Sequence, residues 1–559
     1  MSPKSIFYSL FASLFLCACS TTPEYDLVIR DGLIYDGSGS VPFAGDLAVI
    51  GDRIVQIGAF EGSGLKEISA NGMTIAPGFI NMLSWANESL IRDGRSISDI
   101  RQGVTLEIMG EGESMGPINK SVEEYILSSQ ADIKFDIEWQ SLDDYLQFMV
   151  NRGVSPNIAS FVGAATLRVH EIGFDDRKAT PEEMDNMKVL LDKAMQEGAL
   201  GLGSSLIYAP AFYASTEELV ELTKVVAKYD GMYISHMRSE GNQIMQALDE
   251  LITIAKKTGV SAEIYHLKMA GSQNWDKYQV VIDKIESARK EGLNITADMY
   301  LYTAAATGLD ASMPPWVQEG GQKKWEERLK QPEIREKVIS EMKQDSDDWE
   351  NLYFGAGPEG IILLGFKTEK LKPYTGKTLA EVALIRGTSP EETAMDLVIE
   401  DGYRVSAGYF LMSEENVIKQ IALPWMSFGS DAESIEPTGV FLKANPHPRA
   451  YGNFARLLGK YVRDEKVISL SEAIRKLTSQ PAENLKIKKR GRLKKGYYAD
   501  VVIFEPDSIK DHATFKDPHQ LSTGMSHVFV NGIQVLSSGQ HTGATPGRIV
   551  RGPGYKESN

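Results

Sequence analysis

The chain has 559 residues, of which 42% are hydrophobic and 24% are charged, and its net charge is -17. This length is enough for a large buried core and exceeds that of one ordinary domain. The acidic balance argues against a nucleic-acid-binding protein, because such a protein needs a basic face for phosphates.

The first residues have the pattern of a bacterial lipoprotein signal. Lys4 supplies a positive start, the run from Ile6 to Leu16 is apolar, and Leu16-Cys17-Ala18-Cys19 has the form of a lipoprotein cleavage box. The apolar run is shorter than the roughly 20 residues that span a bilayer, which argues against an ordinary transmembrane anchor. We therefore predict a signal peptide over residues 1–18, a lipid on Cys19, and an exported, membrane-anchored protein that faces the periplasm.

Short apolar runs separated by Gly and Asp turns indicate strands at both ends of the mature chain. The predicted strands are Asp26–Arg30, Gly32–Tyr35, Asp46–Ile50, Arg53–Ile57, Tyr498–Phe504 and His527–Gly532. Two β-rich ends around a long middle predict one small β-sandwich, built from residues 19–77 and 481–559.

The middle of the chain alternates strand patterns with amphipathic helical patterns. Predicted strands are Thr105–Met109, Gly231–Ser235, Val260–Ile264 and Asn294–Ala297, and predicted helices are Pro181–Gln196, Thr216–Lys228 and Gln243–Thr258. This alternation predicts an α/β fold, a (β/α)8 TIM barrel over residues 78–480. A doubly wound sheet would alternate in the same way, but no glycine-rich phosphate loop follows the first strand. A charged stretch near 305–375 breaks the rhythm, and we expect it to be an insertion over the barrel mouth.

Polar side chains follow several predicted strands at their carboxyl ends, where barrel enzymes build their active sites. These are His236, His266, Asp298 and Asp431. A lone histidine is more often structural, but two that end successive strands become neighbours in space. Two imidazoles with a carboxylate suit a zinc-like ion, which lowers the pKa of bound water toward neutrality. Asp431 could carry a proton for such a water, or could simply lie in a turn or cap a helix beginning at Ser430.

Several short motifs lie in a specific order between about residue 25 and residue 553. They are Ala76-Pro77-Gly78-Phe79-Ile80, Ser235-His236-Met237-Arg238-Ser239-Glu240, His266-Leu267-Lys268, Asp298-Met299-Tyr300-Leu301-Tyr302, Gly429-Ser430-Asp431, Pro446-His447-Pro448-Arg449 and His541–Arg548. With these motifs the chain resembles the amidohydrolase superfamily and, more narrowly, the N-acyl-D-amino-acid deacylases or D-aminoacylases. The resemblance implies a metal-dependent hydrolase that splits the amide bond of N-acyl-D-amino acids into a carboxylate and a D-amino acid.

The resemblance also implies roles for single residues. It gives His236 and His266 as metal ligands, Asp431 as general acid/base for a metal-activated water, Arg449 as the clamp for the substrate α-carboxylate, Lys268 and Tyr302 as pocket residues, and His447 as support for the Arg449 loop. A guanidinium group suits the clamp, because it can pair with a carboxylate through two parallel hydrogen bonds. A surface lysine and a core tyrosine remain alternatives for Lys268 and Tyr302.

The chain departs from the family pattern at two places. Leu83 and Trp85 stand where the superfamily has a His-x-His pair after the first barrel strand, so one of two metal positions is lost and the indole could fill its volume. In the loop Gly110–Pro117, D-aminoacylases have a bridging cysteine, and this mature chain has none. Counting back from Ser114 and Pro117 puts Glu111 at the cysteine position, whereas counting forward from Gly103 puts Gly112 there, which cannot bind a metal. A one-residue deletion before the ligand resolves the conflict in favour of Glu111, and Glu113 is the second candidate. A Glu/His/His set implies one divalent ion; zinc fits it best, although nickel, cobalt and manganese accept the same ligands.

Three functions are therefore compatible with the sequence. The first is a deacylase with one metal, and it is favoured because a binding fold has no need of the full set of polar residues. The second is a catalytically silent binding lipoprotein, which the missing His-x-His pair would allow. The third is a related amidase for D-dipeptides or cyclic amides, although Arg449 argues for a free α-carboxylate in the substrate.

Overall fold

A computed structural model describes residues 24–402 and 404–556. In chain order the strands are β1 (Tyr25–Ile34), β2 (Phe43–Ile50), β3 (Arg53–Gly58), β4 (Gly64–Ser69), β5 (Thr74–Pro77), β6 (Phe79–Asn81), β7 (Val104–Met109), β8 (Asn157–Ser160), β9 (Val162–Gly163), β10 (Gly201–Ser205), β11 (Met232–His236), β12 (Ser261–Ile264), β13 (Ile295–Met299), β14 (Ala304–Gly308), β15 (Ile361–Gly365), β16 (Ser406–Phe410), β17 (Met426–Phe428), β18 (Val501–Phe504), β19 (Met525–Val530), β20 (Ile533–Ser537) and β21 (Gln540–His541).

The helices lie mostly between the strands of the central region. They are α1 (Ser89–Arg92), α2 (Ile97–Ile100), α3 (Lys120–Ser129), α4 (Leu142–Arg152), α5 (Ala164–Glu171), α6 (Pro181–Gln196), α7 (Thr216–Ala227), α8 (Ile244–Thr258), α9 (Tyr278–Lys290), α10 (Gln322–Leu329), α11 (Pro332–Met342), α12 (Leu352–Ala356), α13 (Leu379–Arg386), α14 (Pro390–Asp401), α15 (Glu414–Ile421), α16 (Arg449–Arg456), α17 (Leu470–Leu477) and α18 (Ser479–Asn484). A π-helix over Leu457–Asp464 continues α16.

The two ends of the chain form the β-sandwich together. Its nine-stranded sheet has the order β21-β20-β19-β18-β5-β1-β2-β3, and β4 also pairs with β1. The antiparallel pair β5 and β18, with Val502 opposite Ala76, joins the N-terminal half to the C-terminal half. Ile29, Ile75 and Ile503 are fully buried in the core of this unit. The ends are therefore bound together because neither half could bury its apolar face alone.

A closed parallel barrel occupies the middle of the chain. The strands β6, β7 and β8 pair in that order, and β9, β10, β11, β12, β13 and β17 continue around it. Phe161 lies between β8 and β9, which are two parts of one barrel strand. The Met82 amide donates to the Phe428 carbonyl (3.2 Å) and Ser84 bridges to Ala432, so the first and last strands meet. The predicted (β/α)8 barrel with a β-sandwich is thus confirmed.

The helix α6 shows how local sequence sets the barrel units. Thr180 caps its start, because the Thr180 hydroxyl accepts from the Glu183 amide (3.2 Å) and the Glu183 carboxylate accepts from the Thr180 amide (2.7 Å). Pro181, at the first helical position, needs no amide partner there. Met187 and Leu191 are fully buried on the inner face. These signals are local, and the predicted bounds of this helix match the observed ones.

The segment between β13 and β17 is an insertion with its own core. The strands β14, β16 and β15 form a separate antiparallel sheet. Leu309, Leu363 and Tyr409 are fully buried within it. Because β16 ends at Phe410, the insertion extends well past residue 375, the end that the sequence pattern predicts. The pattern misses the later part because the helices α13 and α14 have ordinary capping signals, like those of the barrel helices.

The predicted export signal lies outside the described part of the chain. Residues 1–18 and the lipidation site Cys19 precede the first described residue, Glu24. Within residues 24–402 and 404–556, no helix has both the length and the apolar character needed to cross a bilayer. The lipid anchor at Cys19 therefore stays a prediction.

Candidate active site

Polar side chains from six barrel strands meet at the carboxyl end of the barrel. The residues at or just after β6, β7, β11, β12, β13 and β17 are Trp85, Glu111, His236, His266, Asp298 and Asp431. The strands β11 and β12 pair in parallel with Ser235 opposite Ile264, so the two histidines become neighbours. The barrel thereby brings together groups that are far apart in the sequence.

Glu111, His236 and His266 form a buried cluster with one ligand atom each. Glu111 Oε1 lies 3.2 Å from His236 Nδ1 and 3.0 Å from His266 Nε2. The three ligand atoms lie within 4.8 Å of one another. Ligands about 2.0–2.2 Å from a tetrahedral zinc ion are roughly 3.3–3.6 Å apart, so this donor set fits such an ion with small adjustments. Glu113 is not part of the cluster, because it accepts from the Tyr125 hydroxyl (2.7 Å).

The charges around this cluster favour ionised Glu111. Burial raises the pKa of Glu111, but the positive charges of His266 and His236 outweigh it and hold that pKa well below its usual range. Burial and Lys268 lower the pKa of His266, whereas Glu240 and Glu111 raise it, to about 10. A metal ion needs the neutral imidazole and the carboxylate, so binding of an ion would release the proton of His266.

Glu240 lies behind both histidines and was not among the predicted site residues. Glu240 Oε1 lies 3.0 Å from His266 Nδ1, and Glu240 Oε2 lies 3.5 Å from His236 Nε2. A carboxylate at the outer nitrogen of a ligand histidine fixes the ring and its tautomer. The signal was present in the sequence, because Glu240 ends the motif that begins Ser235-His236.

Lys268 faces the same cavity and is fixed by the same carboxylate. Its ammonium group donates to Glu240 Oε1 (2.7 Å) and lies 2.8 Å from His266 Nδ1. Lys268 is only 5% exposed, which rules out the alternative of an ordinary surface lysine. Asp298, in contrast, supports the backbone: its carboxylate accepts from the amide of His266 (2.9 Å), where the backbone has a φ of 33°.

Asp431 is held from two sides. Asp431 Oδ1 accepts from the Trp85 indole N–H (3.1 Å), and Asp431 Oδ2 lies 2.8 Å from Arg449 Nη1. Burial raises the pKa of Asp431, and the charge of Arg449 opposes this rise. No described helix begins at Asp431, so the helix-cap alternative is wrong for this residue.

Arg449 begins α16 and projects into the cavity. Its guanidinium group lies over the ring of Tyr300, 4.4 Å from the ring centre. Within the described residues Nε has no hydrogen-bond partner, although Arg449 is only 3% exposed. His447 fixes the loop before it: Nδ1 accepts from the Arg449 amide (3.0 Å) and Nε2 donates to the Ala304 carbonyl (3.0 Å). Burial lowers the pKa of His447 well below its usual value, so this ring is neutral.

A cavity of about 490 Å³ opens onto most of these groups; its lining includes Trp85, Glu111, His236, Glu240, Lys268, Asp431 and Arg449. Tyr300 lines it, and within the described chain its buried hydroxyl has no partner. Tyr302 does not line it; its ring lies under Arg456, and its hydroxyl donates to the Pro448 carbonyl (3.5 Å). Tyr302, which the sequence predicts in the pocket, is thus not among the residues that line this cavity, whereas Tyr300 is. The insertion adds Thr307 and Arg404 to the wall.

Comparison with known proteins identifies the family of this chain. The sequence profile of the Amidohydrolase family matches residues 424–536. The D-aminoacylase of Alcaligenes xylosoxydans xylosoxydans is 30% identical to this chain over 95% of it and 98% of the relative. The N-acyl-D-aspartate deacylase of the same organism is 29% identical, with 94% and 95% covered.

Solved structures give the same result. A D-aminoacylase described as having a binuclear metal centre, with one-metal activation and second-metal attenuation, has a TM-score of 0.78 and 28% identity, and 94% of this chain and 100% of that chain are covered. The N-acyl-D-glutamate deacylase of Bordetella bronchiseptica, complexed with zinc and a phosphonate inhibitor, has a TM-score of 0.78 and 27% identity, with 94% and 99% covered. The chain is therefore a metal-dependent hydrolase that belongs to the D-aminoacylase family, in a form with Leu83 and Trp85 in place of the His-x-His pair.

Proposed function

We propose that the protein hydrolyses the amide bond of N-acyl-D-amino acids and releases a carboxylate and a D-amino acid. The observation that carries the proposal is the position of Arg449, a buried guanidinium with an open Nε, beside Asp431 and within one cavity with the metal cluster. A group that can bind a free carboxylate thus lies next to a group that can move a proton. The similarity to deacylases of N-acyl-D-aspartate and N-acyl-D-glutamate supports the same substrate class.

Glu111, His236 and His266 would hold one divalent ion, for which zinc is the best fit. When bound, such an ion lowers the pKa of water toward neutrality and polarises a carbonyl group. The proposal of zinc is supported by the zinc complex of the similar N-acyl-D-glutamate deacylase. Leu83 and Trp85 offer no ligand for a second ion at the first barrel strand, which is why we propose one ion per chain.

Other residues of the chain transfer the proton and bind the substrate. Asp431 accepts a proton from the attacking water and gives it to the departing nitrogen, so the amine leaves neutral. Arg449 binds the α-carboxylate, and Lys268 and Tyr300, which also face the cavity, can donate hydrogen bonds to the same substrate. The α-carboxylate and the scissile amide are close neighbours in an N-acyl amino acid, which matches the adjacency of Arg449 and Asp431.

A substrate panel tests this function. Purified protein loaded with zinc should release free amine from N-acetyl-D-amino acids, should leave their L-enantiomers intact, and should lose activity in a chelator. The L-enantiomers are the matched control, because they differ only in the side of the α-carbon that the carboxylate occupies. Saturable binding of the D-compounds without turnover would instead indicate a silent binding protein.

The same panel separates related amidases. D-dipeptides should be poor substrates because they place an additional residue in the cavity. Hydantoins should be poor substrates because they lack the free carboxylate that Arg449 binds. Faster turnover of D-dipeptides than of every N-acetyl-D-amino acid would show that D-dipeptides are the preferred substrate class. Turnover of hydantoins alone would contradict the role of Arg449.

We also propose that the protein is an exported lipoprotein anchored to the membrane through Cys19. The support is the sequence alone: Lys4, the apolar run Ile6–Leu16 and the cleavage box that ends at Cys19. Metabolic labelling with radioactive palmitate should mark the wild type and not Cys19→Ser. Cys17→Ser is the matched control, since it removes the other cysteine and should keep the label; labelling of Cys19→Ser would disprove the anchor.

A further inference from the structure

The indole of Trp85 lies between the two carboxylates that matter most at this site. Its single N–H donates to Glu111 Oε2 (2.9 Å) and to Asp431 Oδ1 (3.1 Å) at the same time. Glu111 uses its other oxygen, Oε1, toward the two histidines, and Asp431 uses its other oxygen, Oδ2, toward Arg449. One neutral donor therefore connects the metal cluster to the proton carrier.

The backbone holds this indole in place. The Trp85 amide donates to the Ala432 carbonyl (3.0 Å), and the Asp431 amide donates to the Leu83 carbonyl (2.8 Å). Trp85 and Asp431 thus lie on two segments that are hydrogen-bonded to each other on both sides of the contact. The backbone from which the ring projects is therefore fixed by the closure of the barrel between its first and last strands.

We propose that Trp85 is a positioning residue that replaces a second cation. Its N–H sets the orientation of Glu111 for the metal and of Asp431 for the proton transfer, and its ring occupies the space that an ion bound to both carboxylates would need. An indole N–H is only a donor and cannot bind a metal. The protein should therefore bind one ion, and excess metal should not inhibit it.

The contrast with a D-aminoacylase relative makes this inference testable. That protein is described as having a binuclear centre with second-metal attenuation. In the present chain Leu83, which stands at the other position of the missing His-x-His pair, is fully buried among apolar side chains and adds no ligand. The catalytic part of the inference rests on the proposed function, whereas the metal stoichiometry and affinity do not.

The first experiment measures zinc per chain by equilibrium dialysis, without substrate. Wild-type protein should stay at one zinc per chain as free zinc rises into the millimolar range. Trp85→Ala opens the space between Glu111 and Asp431 and should take up a second zinc. A second zinc in the wild type would overturn the inference, and so would Trp85→Ala remaining at one.

The second experiment separates the hydrogen bond from the volume of the ring. Trp85→Phe keeps an apolar ring but loses the N–H, so it should stay at one zinc and bind it roughly 10- to 100-fold more weakly in competition with a chelator. Trp316→Phe is the matched control, because it removes an indole hydrogen bond to a carboxylate, Glu341 Oε2 (2.9 Å), in the insertion, outside the residues that line the site cavity. It should bind zinc as the wild type does.

Each part of the proposal for Trp85 has its own contradicting result. Equal zinc affinity for Trp85→Phe and Trp316→Phe would show that Trp85 only fills space. If Trp85→Phe does not fold, the titration of the wild type still decides the stoichiometry. If no N-acyl-D-amino acid is hydrolysed, the proposed function fails, while the zinc measurements test Trp85 independently. With a substrate in hand, Trp85→Phe should lower kcat more than it changes KM, because Arg449 still binds the carboxylate.

Discussion

Arg449 Nη1 lies 2.8 Å from Asp431 Oδ2, and both groups belong to the wall of one cavity. The contact is an ion pair without the angle of a hydrogen bond, since Nη1 has no hydrogen-bond partner within the described residues. A substrate carboxylate can therefore take the donors of Arg449 while Asp431 keeps its charge partner. Substrate binding and proton transfer should be coupled through this pair.

Replacing Arg449 by lysine should raise KM roughly 10-fold or more, because one ammonium group cannot form the two parallel hydrogen bonds of a guanidinium. The value of kcat should also fall, since Asp431 loses its fixed partner. Arg95→Lys is a suitable control: Arg95 pairs with Asp93 (2.7 Å) and is about 41% exposed. Steady-state kinetics on the best N-acetyl-D-amino acid gives both constants, and an unchanged KM would contradict the clamp.

Replacing Asp431 by asparagine should lower kcat by about 100- to 10,000-fold, because the amide cannot accept and return a proton. Zinc content should stay near that of the wild type, since Asp431 is not one of the three cluster residues. Metal analysis and kinetics on the same sample separate the two effects. Loss of zinc together with activity would show that Asp431 serves the metal instead.

Tyr300→Phe and Tyr302→Phe should behave differently. Tyr300 faces the cavity with an unpartnered hydroxyl, so its loss should reduce kcat/KM by roughly 10- to 100-fold, the usual effect of a hydrogen bond to a charged group. Tyr302 lies outside the cavity lining, so Tyr302→Phe should leave KM near the wild-type value. Equal effects of the two variants would contradict the assignment of Tyr300.

Removal of the metal should destabilise the protein as well as inactivate it. Glu111 is buried between two imidazoles, and a bound ion stabilises the folded state by about 2.7 kcal/mol when its free concentration is 100 times Kd. Differential scanning calorimetry should show a lower Tm in chelator and recovery with added zinc. His236→Ala should have the low Tm in both conditions; a zinc-dependent Tm in this variant would place the metal elsewhere.

Stability should also depend on pH through Glu263, which is buried in β12. Burial raises the pKa of Glu263 from 4.5 to about 7, although hydrogen bonds from Thr296, Asn484 and Ser427 oppose the rise. The folded state then holds the proton more tightly than the unfolded state. Protonation of Glu263 therefore adds to the free energy of unfolding. This contribution is fully present below pH 4.5 and is lost as pH rises toward 7, at up to about 1.4 kcal/mol per pH unit. Urea unfolding of Glu263→Gln should lack this component between those pH values; an identical slope would exclude Glu263 as its source.

The fold class and the placement of the polar groups at strand ends follow from the sequence alone. Strand and helix patterns depend on neighbours a few residues apart, and the capping signals that begin α6 at Pro181 are equally local. A (β/α)8 barrel then places His236 and His266 at adjacent strand ends. The order of the motifs added the family, and with it the roles that we propose for Asp431 and Arg449.

Which side chains contact one another depends on the folded structure. The strand β13 ends at Met299, so the alternation of side chains along a strand no longer predicts whether Tyr300 or Tyr302 faces the cavity. Glu240 ends a sequence motif, but the contact of its carboxylate with both histidines depends on the folded barrel. The shared hydrogen bond of Trp85 joins residues that follow β6, β7 and β17, and these strand ends meet because the barrel closes. Contacts of this kind depend on side-chain directions in loops from distant parts of the chain, and no local pattern in the sequence encodes them.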